Sequence, residues 1–206
     1  MRRRSGNKSQ DITDAAVKVF ARDGFHGAKI TRIAQEAGVA TGSVYLYFRN
    51  KESILHHLFN EIWQRIRDQL AIVISRHDTT PREKVEEIID RVVMLFSKNP
   101  DLALVFVNEQ HHLVRKGSAE FIRYYEDFLK LGEDVVREGI RRGEFRPEID
   151  PRVASNFVFG GLYQLLQRWA ISQGEFPLIT IRRGIRAIAV SGLMKESATT
   201  ESPRVT

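Results

Sequence analysis

Apolar residues recur every three or four positions along most of the chain, which is the spacing of amphipathic helices. Nine segments carry this pattern, and their predicted first residues are Ser9, Thr31, Thr41, Asn50, Thr80, Asn99, Ser118, Asp150 and Leu178. No segment has the alternation of apolar and polar residues that indicates a half-buried strand. The pattern therefore predicts an all-α fold of about nine helices.

Capping residues mark several of the predicted helix ends. Thr31 and Thr41 stand where an N-cap side chain is expected, and Gly38 between them suits the left-handed backbone at a helix C-terminus. Residues 80–83 have the capping-box pattern, with proline at the first helical position. Asn50 can cap a long helix of roughly 26 residues, near 40 Å in length.

Residues 31–51 combine a short helix, a tight turn and a second, very short helix. Ile33 and Ala34 give the first helix an apolar face, and Val44 and Phe48 can face inward from the second. Two short helices joined by a turn that contains glycine are typical of a helix-turn-helix, whose second helix enters the major groove of DNA. This stretch therefore predicts DNA binding.

The net charge of +6 is concentrated at the same end of the chain. Residues 1–51 hold ten Lys and Arg residues against four Asp and Glu residues, and the remainder of the chain is balanced. A general solubilising surface would not predict this segregation, whereas a polyanion bound only by the N-terminal quarter would.

The residues expected to meet DNA lie on and beside the second helix of the motif. They are Lys29, Thr31, Arg32, Thr41, Gly42, Ser43, Tyr45, Leu46, Tyr47 and Lys51. Cations, hydroxyls and phenols can donate to phosphates or base edges, and Leu46 can touch a thymine methyl group. The predicted recognition helix has no Arg, Asn or Gln, so specificity would rest on Lys29, Arg32, water, methyl contacts and DNA shape. Two alternatives are a half-buried core position for Tyr45 and exposure without DNA contact for Leu46.

The run VFARDGFHGAKITRIAQEAGVATGSVYLYFRNKESIL, which ends at Leu55, resembles the DNA-binding domain of the tetracycline-repressor (TetR) family. The rest of the chain resembles the family in length and helical layout. The resemblance implies a homodimer that binds a double-stranded DNA operator through a helix-turn-helix domain at residues 1–50. Residues 51–196 would then form a helical effector-binding and dimerisation domain, and the polar residues 197–206 are predicted to be a disordered tail.

Small and branched residues in the last two predicted helices fit the dimer that the resemblance implies. The predicted interface comprises Gly160, Gly161, Gln164, Ile181, Ile185, Ile188, Ala189 and Gly192. Two glycines in mid-helix cost roughly 1 kcal/mol each against alanine unless close packing offsets the loss. Packing of the same faces within one chain is the alternative.

Aromatic and polar residues of the later helices are candidates for an effector pocket. The candidates are Phe96, Phe106, Asn108, Glu109, Phe128, Phe157, Gln164 and Arg168. Phenylalanines at helical spacing usually form plain core, and a large apolar cavity is the alternative reading of some of them. The polar members can line such a cavity or pair across a dimer interface.

Three segments, DLALVFVNEQ, EGIRRGEF and DPRVASNFVFGGLYQLLQRWA, are similar to one branch of the family. That branch represses fatty-acid degradation genes and releases DNA on binding long-chain acyl-CoA. The resemblance implies this effector. Among the residues themselves, a space lined by phenylalanines would suit an acyl chain, and Arg115, Lys116 and Arg123 could meet the CoA phosphates. Control of multidrug efflux or another pathway by a different apolar or cationic effector, which Glu109 could bind, stays open.

An enzyme and an architectural DNA-binding protein are the rival classes. Glu109 and His112 have the E-x-x-H spacing of a di-iron bundle, but the second copy that such a site needs is missing, so no metal or other cofactor is expected. The long aromatic body argues against a purely architectural role. The chain lacks cysteine, a secretory signal and an apolar run long enough for a membrane span, which favours a cytoplasmic, ligand-responsive repressor.

Overall fold

The computed structural model describes residues 7–115, 119–172 and 176–195. Within these ranges the helices are α1 (Lys8–Gly27), α2 (Ile30–Ala37), α3 (Thr41–Tyr45), α4 (Lys51–Ile74), α5 (Pro81–Ser97), α6 (Pro100–Arg115), α7 (Ala119–Arg141), α8 (Pro151–Ile171) and α9 (Leu178–Leu193). The β pairing recorded there is an isolated bridge between Phe145 and Met194. The prediction of an all-α fold is confirmed. The predicted cap at Ser118 and the predicted tail at 197–206 lie outside the described residues.

Three of the predicted helix caps are confirmed by their hydrogen bonds. Asn50 accepts from the backbone of Ser53 and forms a capping box with it, and Thr80 does the same with Glu83. Asp150 caps α8 by accepting from two backbone N–H groups. Its hydrogen bonds with the Arg152 side chain and with those N–H groups lower the pKa of Asp150 to about 2.

Three other predicted caps are wrong by one or two positions. The extended residue before α2 is Lys29 and the one before α3 is Ala40, so Thr31 and Thr41 already lie inside their helices. Ser9 likewise lies within α1, which begins at Lys8. An N-cap residue needs extended backbone, and a hydroxyl side chain alone does not fix which residue adopts it.

The first three helices form a small N-terminal bundle, which we call the head. Phe20 and Phe25 pack in its centre with ring centroids 5.5 Å apart, and Ile33 and Val44 are buried beside them. Gly38 takes the predicted left-handed backbone, with φ of 69°, and this turn sets the angle between α2 and α3.

The remaining helices form the body. In it α7 packs on α8, α5 packs on α9, and α4 lies against both α5 and α7. The helix α1 of the head packs much more extensively on α6 than on α4. The head therefore rests on α6, although α4 is the segment that joins it covalently to the body. None of the described helices is both long and apolar enough to cross a membrane.

One side of α9 is fixed to α5 by ion pairs. The Arg182 Nε atom lies 2.8 Å from Asp90 Oδ1, and the Arg186 Nη1 atom lies 3.2 Å from Asp90 Oδ2. Arg186 also forms an ion pair with Glu86. These pairs hold α9 in one rotation about its axis, so that a second face, which carries Ile188, points outward.

Candidate nucleic-acid interface and effector cavity

The exposed surface of the head carries most of the residues predicted to meet DNA. Lys29, Thr31, Arg32, Gly42, Tyr45, Leu46 and Tyr47 are exposed, and Thr41, Ser43 and Lys51 are half-buried. The alternative of a half-buried core position for Tyr45 is wrong. Leu46 is 81% exposed, the most open of the large apolar side chains in the described residues. Most of these positions are therefore open to solvent, and their contact with DNA stays a prediction.

The Lys51 ammonium has a structural role that the sequence did not reveal. It donates to the carbonyl oxygens of Phe25, His26 and Ala28 at 2.8, 2.9 and 3.3 Å, and it lies 4.9 Å from the centre of the Phe25 ring. An ammonium has three N–H donors, so these carbonyls use all of them. Lys51 therefore ties the start of α4 to the end of α1, and the phosphate contact predicted for it stays a prediction.

An apolar cavity of about 60 Å³ lies in the body among α4, α5, α7, α8 and α9. Its lining includes Leu70, Val92, Phe128, Val158, Phe159 and Leu162. Ser155 is the one lining residue with a polar side chain, and its hydroxyl already donates to the Leu129 carbonyl oxygen. The chemistry of this cavity suits a hydrocarbon and offers nothing to a charged group.

A solvent-facing groove adjoins the cavity between α4 and α5. It has a volume of about 520 Å³, and Arg65, Gln69 and Arg91 are among the residues along it. Leu70 and Val92 border both spaces. The cavity and the groove therefore meet at these two side chains.

Of the eight residues predicted for the effector pocket, Phe128 alone lines the cavity. Phe96 and Phe106 are fully buried in an aromatic cluster beside it, with ring centroids 5.0 Å apart. The same cluster contains Trp63, whose ring lies 5.7 Å from Phe106 and 5.5 Å from Phe128. The prediction that Phe96 and Phe106 line the effector pocket is therefore wrong, because both pack in the cluster behind the lining residue Phe128.

The four polar candidates do not line the cavity either. Asn108, Gln164 and Arg168 are exposed, and Arg168 lies 5.8 Å from the centre of the Phe176 ring. Glu109 accepts a hydrogen bond from the backbone N–H of Phe25 at 3.3 Å. Glu109 therefore sits at the junction of head and body, which corrects its assignment to the effector pocket.

Phe157 belongs to an exposed apolar face on α8 and α9 instead of the pocket. It is 70% exposed, and Val153 and Ile188 beside it are also largely exposed. A shallow groove joins these three side chains. The positions 153, 157, 160 and 164 repeat at helical spacing, and this stripe is the sequence signal for an outward face of α8. We call this surface the α8/α9 face.

The residues predicted for a dimer interface divide between this face and the core. Gly160, Gln164, Ile188 and Gly192 are exposed on α8 and α9. Ile181, Ile185 and Ala189 are buried within the chain, and the Ile185 side chain lies close over Gly161. These last four residues pack within the chain, as the alternative reading expects, and the interface itself stays a prediction.

The remaining chemical candidates gain no further support. Within the described residues, no group of three or more His, Cys, Asp or Glu side chains is placed to hold a metal ion. The side chains of His112, Arg115 and Lys116 lie outside the described residues. Arg123 stacks on the Tyr124 ring, with its guanidinium carbon 5.5 Å from the ring centre.

Two protein families match this chain. Residues 12–58 match the bacterial regulatory proteins of the tetR family, and residues 78–193 match the tetracyclin repressor-like C-terminal domain. These spans contain the described helix-turn-helix and nearly all of the body. The sequence resemblance recognised in the head therefore extends to the body as well.

Individual relatives match along almost the whole chain. The fatty acid metabolism regulator protein of Bacillus subtilis is 30% identical over 186 residues, which are 90% of this chain and 95% of that protein. The solved structure of the fatty acid degradation regulator FadR from Bacillus halodurans matches with a TM-score of 0.82 and 29% identity, covering 92% of this chain and 98% of that one. FadR from Bacillus subtilis in complex with stearoyl-CoA matches with a TM-score of 0.77 and 31% identity, covering 89% and 98%. The chain thus belongs to the TetR family of bacterial transcription regulators.

Proposed function

We propose that this protein is a homodimeric repressor that binds a near-palindromic operator and releases it when a long-chain fatty acyl-CoA enters the body. The observation that carries the proposal is the apolar cavity that α4, α5, α7, α8 and α9 line. It has the chemistry that an acyl chain needs, and a relative with 31% identity has been solved in complex with stearoyl-CoA. Repression of genes for fatty-acid degradation is the corresponding role.

The cavity is too small for a long acyl chain, and this mismatch explains how the effector would change the structure. A volume of about 60 Å³ equals only about two water molecules in the liquid, far less than a long acyl chain occupies. The chain can therefore enter only if the helices around the cavity move apart. Leu70 of α4 is part of that lining, and it lies 19 residues along the helix from Lys51, a distance of about 29 Å.

Movement in the body reaches the head along two routes. The first is α4 itself, whose first turn is tied to the end of α1 by Lys51. The second runs from Phe128 to Trp63 and Phe106, and then along α6 to Glu109 and its bond to the head. An effector that binds the DNA-free arrangement a hundredfold better than the DNA-bound one shifts the equilibrium by about 2.7 kcal/mol.

The α8/α9 face supports the homodimer. A stretch of exposed Val, Phe and Ile between small and polar residues is the kind of surface that a second copy covers. Glycines at 160 and 192 leave open space around their α-carbons, so another helix can approach closely. Two heads held about 34–36 Å apart would read successive major grooves of one operator.

Leu46 offers a direct test of the predicted DNA surface. Its side chain is 81% exposed, so Leu46→Ala should leave thermal stability almost unchanged. We expect operator affinity to fall by about tenfold, because the contact buries most of one leucine side chain. Fluorescence anisotropy at fixed salt on an operator selected from random DNA gives the measurement. The matched control is Met94→Ala, which removes a similarly exposed side chain from α5; equal affinities for Leu46→Ala and the control would place Leu46 away from DNA.

The effector is tested by binding and by DNA release. Palmitoyl-CoA at a hundred times its dissociation constant should stabilise the protein by about 2.7 kcal/mol and raise the unfolding midpoint by several degrees. The same concentration should reduce operator affinity, whereas CoA alone should do neither. A rise with palmitate but not with palmitoyl-CoA would replace the proposed effector with the free acid.

A variant with a filled cavity provides the matched control. Val158→Phe adds apolar volume where the acyl chain should lie, and it should weaken palmitoyl-CoA binding while leaving operator affinity intact. If wild type and this variant respond to palmitoyl-CoA alike, the cavity is not the effector site. If no acyl compound binds the wild type, an apolar drug or cation becomes the leading effector and the DNA-binding role stands unchanged.

A further inference from the structure

Two deeply buried polar atoms have no hydrogen-bond partner in the described part of the protein. They are the indole nitrogen of Trp63 on α4 and the side-chain oxygen of Gln110 on α6. Trp63 is 1% exposed and Gln110 is 7% exposed. An unsatisfied buried polar group is costly, so each one calls for an explanation, and a ligand that supplies the missing hydrogen bond is one such explanation.

The orientation of the Gln110 amide is set by Tyr163. The side chain of Gln110 forms a hydrogen bond with Tyr163 that opposes the upward effect of burial on the pKa of that phenol. The Tyr163 hydroxyl in turn donates to the carbonyl oxygen of Val107. The amide N–H of Gln110 therefore donates to the Tyr163 hydroxyl, and the amide oxygen is left as an acceptor without a partner among the described residues.

Both unpartnered atoms border the rings that separate them from the apolar cavity. The Trp63 ring packs on the Phe128 ring, with centroids 5.5 Å apart. Tyr163, which is hydrogen-bonded to Gln110, has its ring centroid 6.4 Å from that of Phe159. The ring centroids of Phe128 and Phe159 are 4.8 Å apart, and both side chains line the cavity. A donor and an acceptor thus lie behind rings that line a space suited to a hydrocarbon chain.

The effector proposed above carries the complementary pair of groups. An acyl-CoA has a carbonyl oxygen at the thioester, and its first amide N–H follows two methylene groups after the sulfur. We propose, resting on that proposed function, that Trp63 and Gln110 hold this end of the effector. The indole N–H donates to the thioester carbonyl oxygen, and the Gln110 oxygen accepts from the amide N–H. The acyl chain then passes Phe128 and Phe159 into the cavity.

A pair of ligands that differ only at the carbonyl isolates the Trp63 contact. Palmitoyl-CoA has the carbonyl, whereas hexadecyl-CoA, the S-alkyl thioether, has a methylene in its place. Wild type should bind palmitoyl-CoA about fivefold more tightly than hexadecyl-CoA in titration calorimetry, the usual worth of one hydrogen bond. In Trp63→Phe the two ligands should bind equally, because the indole donor is gone. The matched control is Trp169→Phe, which alters the other tryptophan of the chain, far along α8, and should keep the preference.

Gln110→Met gives a different pattern that a general loss of packing would not produce. Both ligands carry the amide N–H, so the binding of both should weaken by about fivefold while the preference for the thioester is retained.

The inference is overturned if Trp63→Phe keeps the preference for palmitoyl-CoA. It is also overturned if wild type binds the two ligands equally, as it would if a buried water bridged Trp63 and Gln110. Failure of the proposed effector has another signature, in which neither ligand binds wild type more tightly than CoA alone. Tighter binding of palmitate than of palmitoyl-CoA would assign the donor and acceptor to a carboxylic acid and overturn the thioester assignment.

Discussion

Phe157→Asp should convert the protein to a monomer and lower its operator affinity by at least about a hundredfold. The side chain lies at the centre of the exposed apolar α8/α9 face, between Val153 and Ile188. In a two-fold dimer each copy would bury its new carboxylate against the partner's apolar side chains, with no cation to pair it. A single head on one half-site then binds with little more than non-specific affinity.

Sedimentation velocity and operator anisotropy measure the two effects. Because residue 157 is exposed in the monomer, the variant should remain folded, with the helical circular dichroism of wild type. The matched control is Ile72→Asp, which places the same charge on an exposed isoleucine of α4 outside the α8/α9 face. If Phe157→Asp stays dimeric, the partner surface lies elsewhere and the proposed interface must be abandoned.

Lys51→Met should weaken operator binding by about tenfold through loss of head geometry. The methionine keeps the apolar stem of lysine but cannot donate to the carbonyl oxygens of Phe25, His26 and Ala28. Charge-assisted hydrogen bonds of this kind stabilise by about 2 kcal/mol, which corresponds to a fall of about 5 °C in the unfolding midpoint. The end of α1 and the start of α4 would no longer be held together, and the head would lose its fixed orientation.

The salt dependence of operator binding separates this role from a phosphate contact. A lysine that neutralises a phosphate contributes about one unit to the slope of log affinity against log salt concentration. We expect the slope to be unchanged in Lys51→Met, because the ammonium is already engaged by the three carbonyls. A slope reduced by about one unit, with an unchanged unfolding midpoint, would instead support the phosphate contact predicted from the sequence. Lys18→Met is the matched control, since Lys18 pairs with Glu36 on the surface of the head.

One of the two routes from the cavity to the head could be predicted from the sequence, and the other could not. The length of α4 and its cap at Asn50 follow from residues close together in the chain, so the rigid link was predictable. The contact of Glu109 with Phe25 joins residues 84 positions apart. Glu109 looked like a pocket residue because it interrupts an apolar run, and only the packing of α1 on α6 gives that carboxylate its backbone partner.

The all-α class, the helix-turn-helix head and the family were predictable from residues that lie close together in the chain. Helical periodicity, the glycine at 38, and the caps at Asn50, Thr80 and Asp150 depend on neighbouring residues, and local patterns specify such features strongly. The exposed residues of the head were also predictable, since Ile33 and Val44 had to face inward and left the others outside.

Long-range packing, in contrast, determines which apolar residues form the core, the cavity lining or the proposed partner surface. A helical stripe of Phe, Ile and Val has the same appearance in all three cases, and the rotation of each helix selects among them. The ion pairs of Arg182 and Arg186 with α5 turn Ile181 and Ile185 inward and Ile188 outward. Hydrophobic burial is not directional, so the pattern of apolar residues predicts that a face will be covered, while long-range packing decides what covers it.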